Sequence, residues 1–171
     1  MNWFIPREHG AWAMLIVPFL LGMFASSITI YHLVFFTGVL ALYFASGPFL
    51  AYIRKPKLKK AIIPALTIYL SIGCLLTIPI LLLYPKVVII SLFILPLFGL
   101  NVYFAKIKKE RLFINDLIAI TALSFLVTIS YYLGTGFIDS KAFLLMGINI
   151  LYFSASVFHV KTLIREKGNQ T

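Results

Sequence analysis

Three short stretches of this chain carry side chains that can do chemistry. The first is "PREHGAWAML", Pro6 to Leu15, where Arg7, Glu8 and His9 abut a long apolar run and Trp12 follows one turn later. On a helix His9 and Trp12 share a face, and Glu8 lies four residues before Trp12. An imidazole beside a carboxylate can bind a metal, move a proton or, when charged, hold an anion. The same residues also suit a plain helix start. Pro6 fits a first turn, Glu8 complements the helix dipole, and Arg7 reaches the head groups on its long stem.

The second stretch is "YFAKIKKERLFINDL", Tyr103 to Leu117, with Lys106, Lys108, Lys109 and Arg111 crowded before Asn115 and Asp116. Asp116 can favour the positive end of a helix that begins there. Alternatively it faces a cavity and pairs with Arg111 or a cation. One carboxylate does not define a metal site, and no residue pattern in the chain specifies a cofactor. The third stretch holds Asn149, Tyr152, Ser156 and His159, spaced 3, 4 and 3. At 100° per residue they fall at about 0°, −60°, −20° and −80°, a single stripe expected to face other helices rather than lipid.

The elements that position these groups are membrane helices. Of the 171 residues 61% are hydrophobic and only 12% charged, and the mean hydropathy is +1.01. Soluble domains are nearer half apolar and a quarter charged. Six runs approach the ~20 residues needed to cross the bilayer: Ala11–Ile30, Leu33–Ile53, Ala61–Tyr84, Val87–Ala105, Ile114–Leu133 and Ala142–Val160. None alternates as barrel strands do. The expected architecture is therefore an all-α, six-helix integral membrane bundle in one domain spanning residues 1–171. The first run is read as a span rather than a cleaved leader, because of its length, Pro18 and the charge pattern that requires it. Pro18, Pro48, Pro64, Pro79 and Pro96 should kink their helices. Ser46, Gly47, Gly73 and Gly99 permit close helix approach. Cys74 sits mid-span as a small core residue.

Charge sets the expected orientation. Of fifteen Lys and Arg, thirteen lie at the N-terminus, in the loops after the second and fourth runs, and in the tail, leaving only Lys86 and Lys141 on the other side. The positive-inside rule then places both termini in the cytoplasm, with the chain in the cytoplasmic membrane. The net charge of +10 needs no nucleic acid, since anionic head groups of the bilayer are partners for juxtamembrane bases.

The stretches "PREHGAWAMLIVP", "YFAKIKKERLFINDL" and "VFHVKTLIREKG" resemble the YwiC-like family of bacterial membrane proteins across nearly the whole chain. That resemblance implies no activity. It implies hydrophobic sequence beyond "IREKG", so a chain ending at Thr171 is expected to be a short or truncated member. A more distant likeness is to the UbiA prenyltransferases, whose two Asp-rich motifs hold Mg²⁺ and a prenyl diphosphate. The corresponding loop here reads "SGPFLAYIRKPKLKK", without an Asp. Magnesium-dependent prenyl transfer is accordingly not expected, while Lys and Arg remain able to grip a phosphate directly.

Arg7, Glu8, His9, Arg111, Asp116 and His159 all fall at the basic end. A polar mouth there over an apolar bundle suits an amphiphilic or anionic ligand, contacted also by Trp12, Asn115, Asn149, Tyr152 and Ser156. If chemistry occurs, Glu8, His9, Asp116 and His159 are its acid–base or ligand groups. The expectation for the first motif is that His9 and Trp12 point inward near the ends of the fifth and sixth helices, close to Asp116 and His159, with Gly10 packed against a neighbour. Two rival functions are an assembly subunit and a small transporter. The latter needs polar residues on the far side, where His32 and Asp139 are the main ones.

Overall fold

In hydrocarbon every backbone polar group must be satisfied within its own segment, and the apolar runs fold accordingly. The structure, a computed structural model, describes residues 9–54 and 59–168, with side chains at 10, 12–53 and 62–163. Six helices follow one another: α1 (His9–Phe24), α2 (Ile30–Arg54), α3 (Lys59–Leu83), α4 (Pro85–Lys106), α5 (Phe113–Thr135) and α6 (Ser140–Gly168). Five of them are long and apolar enough to cross a membrane, and α1 is a shorter apolar helix. The chain is thus a multi-pass membrane protein.

The helix ends have local causes. α1 stops at Phe24, short of the Ile30 expected from hydropathy, because Ser26 turns the chain: its hydroxyl donates to the carbonyls of Gly22 at 2.9 Å and Met23 at 3.1 Å. α4 begins on Pro85, whose missing N–H costs nothing at a first helical position. α5 closes on Gly136 in the left-handed conformation at φ 76°, a backbone shape glycine adopts without penalty. α6 opens under Asp139, whose Oδ1 accepts the Ala142 N–H at 3.2 Å.

α5 is the hub. It packs against α1, α4 and α6 and touches α2, while α2 and α3 form a close pair of their own. The α1–α5 contact is backbone on backbone. A Cβ added at Gly22 would stand 2.2 Å from the Val127 carbonyl oxygen and 2.9 Å from the Tyr131 nitrogen. α1 meets α2 differently, through rings: Trp12 lies edge-on to Phe44 at 5.3 Å and Phe19 tilts on Phe36 at 4.7 Å. Gly73 does admit a close neighbour, Leu42, but a Cβ on Gly99 or Gly10 would meet nothing within 4 Å. The expectation that these two glycines serve close packing is corrected. Cys74 is exposed, not a core residue, because it lies on the outer face of α3 while Gly73 faces α2.

The large-residue core is lopsided. Leu15, Phe19, Phe35, Ile80, Val87, Ile90, Leu126, Ile129, Tyr132 and Leu133 form one cluster. These residues lie at or beyond mid-span toward the end holding Ala25–Thr29, Tyr84 and Gly136–Asp139. At the end holding the 107–112 connection, the described buried residues of the α2–α3 pair include Pro48, Ile62 and the cluster Ala45, Ala65 and Tyr69.

Candidate functional site at the basic end

At the basic end the chain leaves α4 through a tight turn. The Lys109 N–H donates to the Phe104 carbonyl at 2.9 Å, and Lys108 takes the left-handed conformation at φ 57°, a place usually given to glycine. This turn delivers Arg111 to the surface and Asn115 and Asp116 to the first turn of α5. Asp116 forms an ion pair with Lys161 of α6. The Lys161 ammonium also donates to the Arg111 carbonyl at 2.8 Å and lies 6.0 Å from the Phe113 ring centre. Asn115 donates through Nδ2 to the Glu110 carbonyl at 2.9 Å. Its Oδ1 is buried without a hydrogen-bond partner, an acceptor left open beside the ion pair.

The sequence-derived candidates distribute unevenly around this corner. Arg7 and Glu8 lie outside the described residues, and for His9 only the backbone, the first residue of α1, is described. α1 runs parallel to α5, with Gly22 seated between Val127 and Tyr131. Counting back thirteen residues on each helix puts the His9 backbone level with Asp116. Trp12 is half-buried and meets Phe44 of α2 edge-on. That bearing places its ring in the aromatic contact between α1 and α2. Asp116 likewise pairs with Lys161 rather than Arg111, because Arg111 precedes the helix and offers its carbonyl, not its guanidinium, to the same lysine.

The stripe on α6 divides. Asn149 is buried and donates to Ser124 Oγ at 2.8 Å, and Ser124 in turn donates to the Ile120 carbonyl at 2.7 Å. Tyr152, at 66% exposure, faces outward, as do Ser156 and His159. The expected inward stripe is therefore corrected. The seam buried against α5 runs through Ala142, Met146, Asn149, Phe153 and Lys161. Measured from Asn149 at about 100° per residue, it drifts to about +40° at Phe153 and about +120° at Lys161. Tyr152, Ser156 and His159 drift the other way.

Among the described residues a second polar network lies at the opposite end. His32 is buried between helices; its Nδ1 accepts the Thr29 N–H at 3.1 Å and its Nε2 donates to the Ser130 carbonyl at 2.9 Å. That pair of partners fixes the neutral tautomer with the proton on Nε2. Tyr131 donates to Asp139 Oδ2 at 3.1 Å, and Lys141 donates to the Ala25 carbonyl at 3.2 Å. Burial, with the phenols of Tyr31 and Tyr132 adding to it, pushes the Tyr84 hydroxyl above its ordinary range. An apolar groove of about 310 Å³ opens here between α1 and α2, lined by Phe19, Met23, Ile28, His32 and Phe36 among others. His32 and Asp139 were visible in the sequence as polar residues on the sparsely charged side. Their partners were not, because Ser130 lies 98 residues from His32. Among the described residues no group of three His, Cys, Asp or Glu converges as a metal site.

The profile of a family described as "YwiC-like protein" matches residues 5–131. A protein of Bacillus subtilis (strain 168) named "Uncharacterized protein YwiC" is 35% identical over 170 residues, 99% of this chain and 71% of that protein. An "Uncharacterized protein" of Haemophilus influenzae is 30% identical over 172 residues, again 99% of this chain and 71% of the relative. No solved structure matches.

Proposed function

The chain belongs to the YwiC-like family, and we propose that it binds the anionic head of an amphiphile at its basic end, with that end in the cytoplasm. The observation that carries this reading is the corner where the 107–112 turn brings Arg111 to the surface beside the Asp116–Lys161 pair. That corner belongs to the end bearing thirteen of fifteen Lys and Arg. An anionic head would meet the loop lysines and Arg111, charge-assisted contacts that are the strong ones for phosphate. The Asp116–Lys161 pair neutralises one carboxylate of this corner, so Asp116 does not repel that head. Orientation follows from the positive-inside rule. The tail would lie along the helix faces below the mouth.

Native mass spectrometry tests this. The purified chain, offered equal phosphatidylglycerol and phosphatidylcholine, should retain phosphatidylglycerol preferentially. The variant carrying Lys106→Gln, Lys109→Gln and Arg111→Gln should lose that preference. Equal retention of both lipids by the unaltered chain would reject the reading.

A further inference from the structure

The bundle has an internal joint. α2 and α3 form one close pair, α1 packs on α5 with α4 and α6 around it, and these two groups touch each other more lightly. The apolar groove between α1 and α2 opens on that joint, with His32 in its wall. His32 also crosses it. From the start of α2 its ring donates to the Ser130 carbonyl of α5 and lies edge-on to Phe19 of α1, ring centres 6.0 Å apart. Through the Thr29 N–H the same ring holds the connection that leads from α1 into α2.

One protonation state fits this arrangement. Nδ1 accepts the Thr29 N–H, so it carries no proton, and the single proton of the neutral ring sits on Nε2. A proton added to Nδ1 would be set against that N–H, with the two nitrogens 3.1 Å apart. The Thr29 hydroxyl, 3.0 Å from Nδ1, can accept the new proton, but the Thr29 N–H then loses its acceptor.

The charge has no counterpart either. His32 is 1% exposed, and among the described residues its hydrogen-bond and ring partners are Thr29, Ser130 and Phe19, none of them acidic. α1 brings no titratable side chain to this end. α2 brings Tyr31, α5 brings Tyr131 and Tyr132, and Tyr84 and Lys86 stand where α3 passes into α4. The carboxylate at this end among the described residues is Asp139, already committed to the Tyr131 hydroxyl and the Ala142 N–H. Lys141, two residues on, is a further cation. Burying an imidazolium in such a setting is costly.

We propose that His32 is an acid-released tie. A proton from the aqueous phase on this side breaks the link from Thr29 through His32 to Ser130, frees the start of α2 from α5 and widens the groove between α1 and α2. Histidine is the side chain whose charge ordinarily changes between about pH 5 and 8. The tie holds while the ring is neutral and fails as the pH falls. The proton has a short way to travel, because His32 is the third residue of α2, about 3 Å along the axis from the helix start.

The test uses the full chain in nanodiscs with Cys74→Ser as background, since Cys74 is itself exposed. Spin labels at Leu33→Cys and Phe137→Cys, both exposed positions, read the gap between the start of α2 and the end of α5. From pH 8 to pH 5 a longer distance should appear. Its population should rise by at most about tenfold per pH unit, as the uptake of one proton requires. His32→Gln, which keeps a donor and an acceptor but does not titrate, should hold the short distance throughout. His159→Gln, at the other end, should respond as the unaltered chain does. In the histidine-labelled chain with His32 intact, the imidazole nitrogen resonances of His32 should pass from the neutral to the charged pattern over the same pH range, a reading that does not depend on the folding of His32→Gln. A His32 ring that stays neutral down to pH 5 overturns the proposal. So does a distance that acid leaves unchanged, or one that lengthens equally in His32→Gln.

Discussion

His32 of α2 and Ser130 of α5 are joined by an imidazole-to-backbone hydrogen bond of 2.9 Å in a site where both residues are buried. The other ring nitrogen takes the Thr29 N–H, so one side chain ties the start of α2 to the end of α5. Replacing it with a shape-matched apolar residue leaves the Thr29 donor unpaired. His32→Leu should destabilise the protein by about 1–3 kcal/mol, read as a fall in the thermal unfolding midpoint in detergent. His32→Gln, which keeps a donor and an acceptor, should fall less.

Gly22 gives the sharpest steric prediction. A Cβ there would collide with the Val127 carbonyl and the Tyr131 nitrogen, and backbone cannot move aside as a side chain can. Gly22→Ala should cost about 1–3 kcal/mol or more through displacement of α1 from α5. Gly99→Ala, at a position with open space, should be neutral or stabilising by up to about 1 kcal/mol. The pair is measured by comparing unfolding midpoints in one detergent.

Far less hangs on the ion pair at the basic end. The side chains of Lys161 and Asp116 remain 35% and 27% exposed, so water and salt screen them. A double-mutant cycle with Lys161→Met and Asp116→Asn should return a coupling of about 1 kcal/mol or less, shrinking as salt rises. A much larger coupling would mean that the corner is sealed from water.

Orientation is open to a direct check. In a Cys74→Ser background, Phe137→Cys in the connection after α5 should react with a membrane-impermeant maleimide on intact cells. Lys109→Cys should react only after the membrane is opened. The reverse pattern would invert the topology and move the proposed mouth to the outer face.

Composition and hydropathy were enough to find the helices, and the reasons for the errors are physical. The fourth and fifth runs were placed within two residues of α4 and α5, because Pro85 and the charged 107–112 turn mark their limits. The first run overshot to Ile30, since "ASSITI" contains no Gly, Pro or charge. The turn there is made by Ser26 bonding back to α1. Pairings between helices were illegible, because near-uniform apolar surfaces carry no address. Nothing in the sequence of α1 announces that Gly22 faces α5. Of the α6 stripe only Asn149 turned inward. Four polar residues on one arc define a face, but not which neighbour, within the chain or outside it, that face meets. His32 was seen as an isolated polar residue because its partner is remote in sequence.

The central place of α5 has a consequence for how the protein is made. During synthesis α1 enters the membrane first, yet its close neighbour α5 emerges about a hundred residues later. At roughly 5–20 residues per second, α1 waits for several seconds beside lipid or an insertion factor before its glycine face is covered. The α2–α3 hairpin can close at once, as its two members are consecutive. Assembly is therefore out of order: an early helix is held in reserve, a hairpin forms beside it, and the arrival of α5 locks both. A ribosome stalled before residue 113 would leave a nascent chain with an unmatched first helix, the form that membrane quality-control proteases are placed to remove.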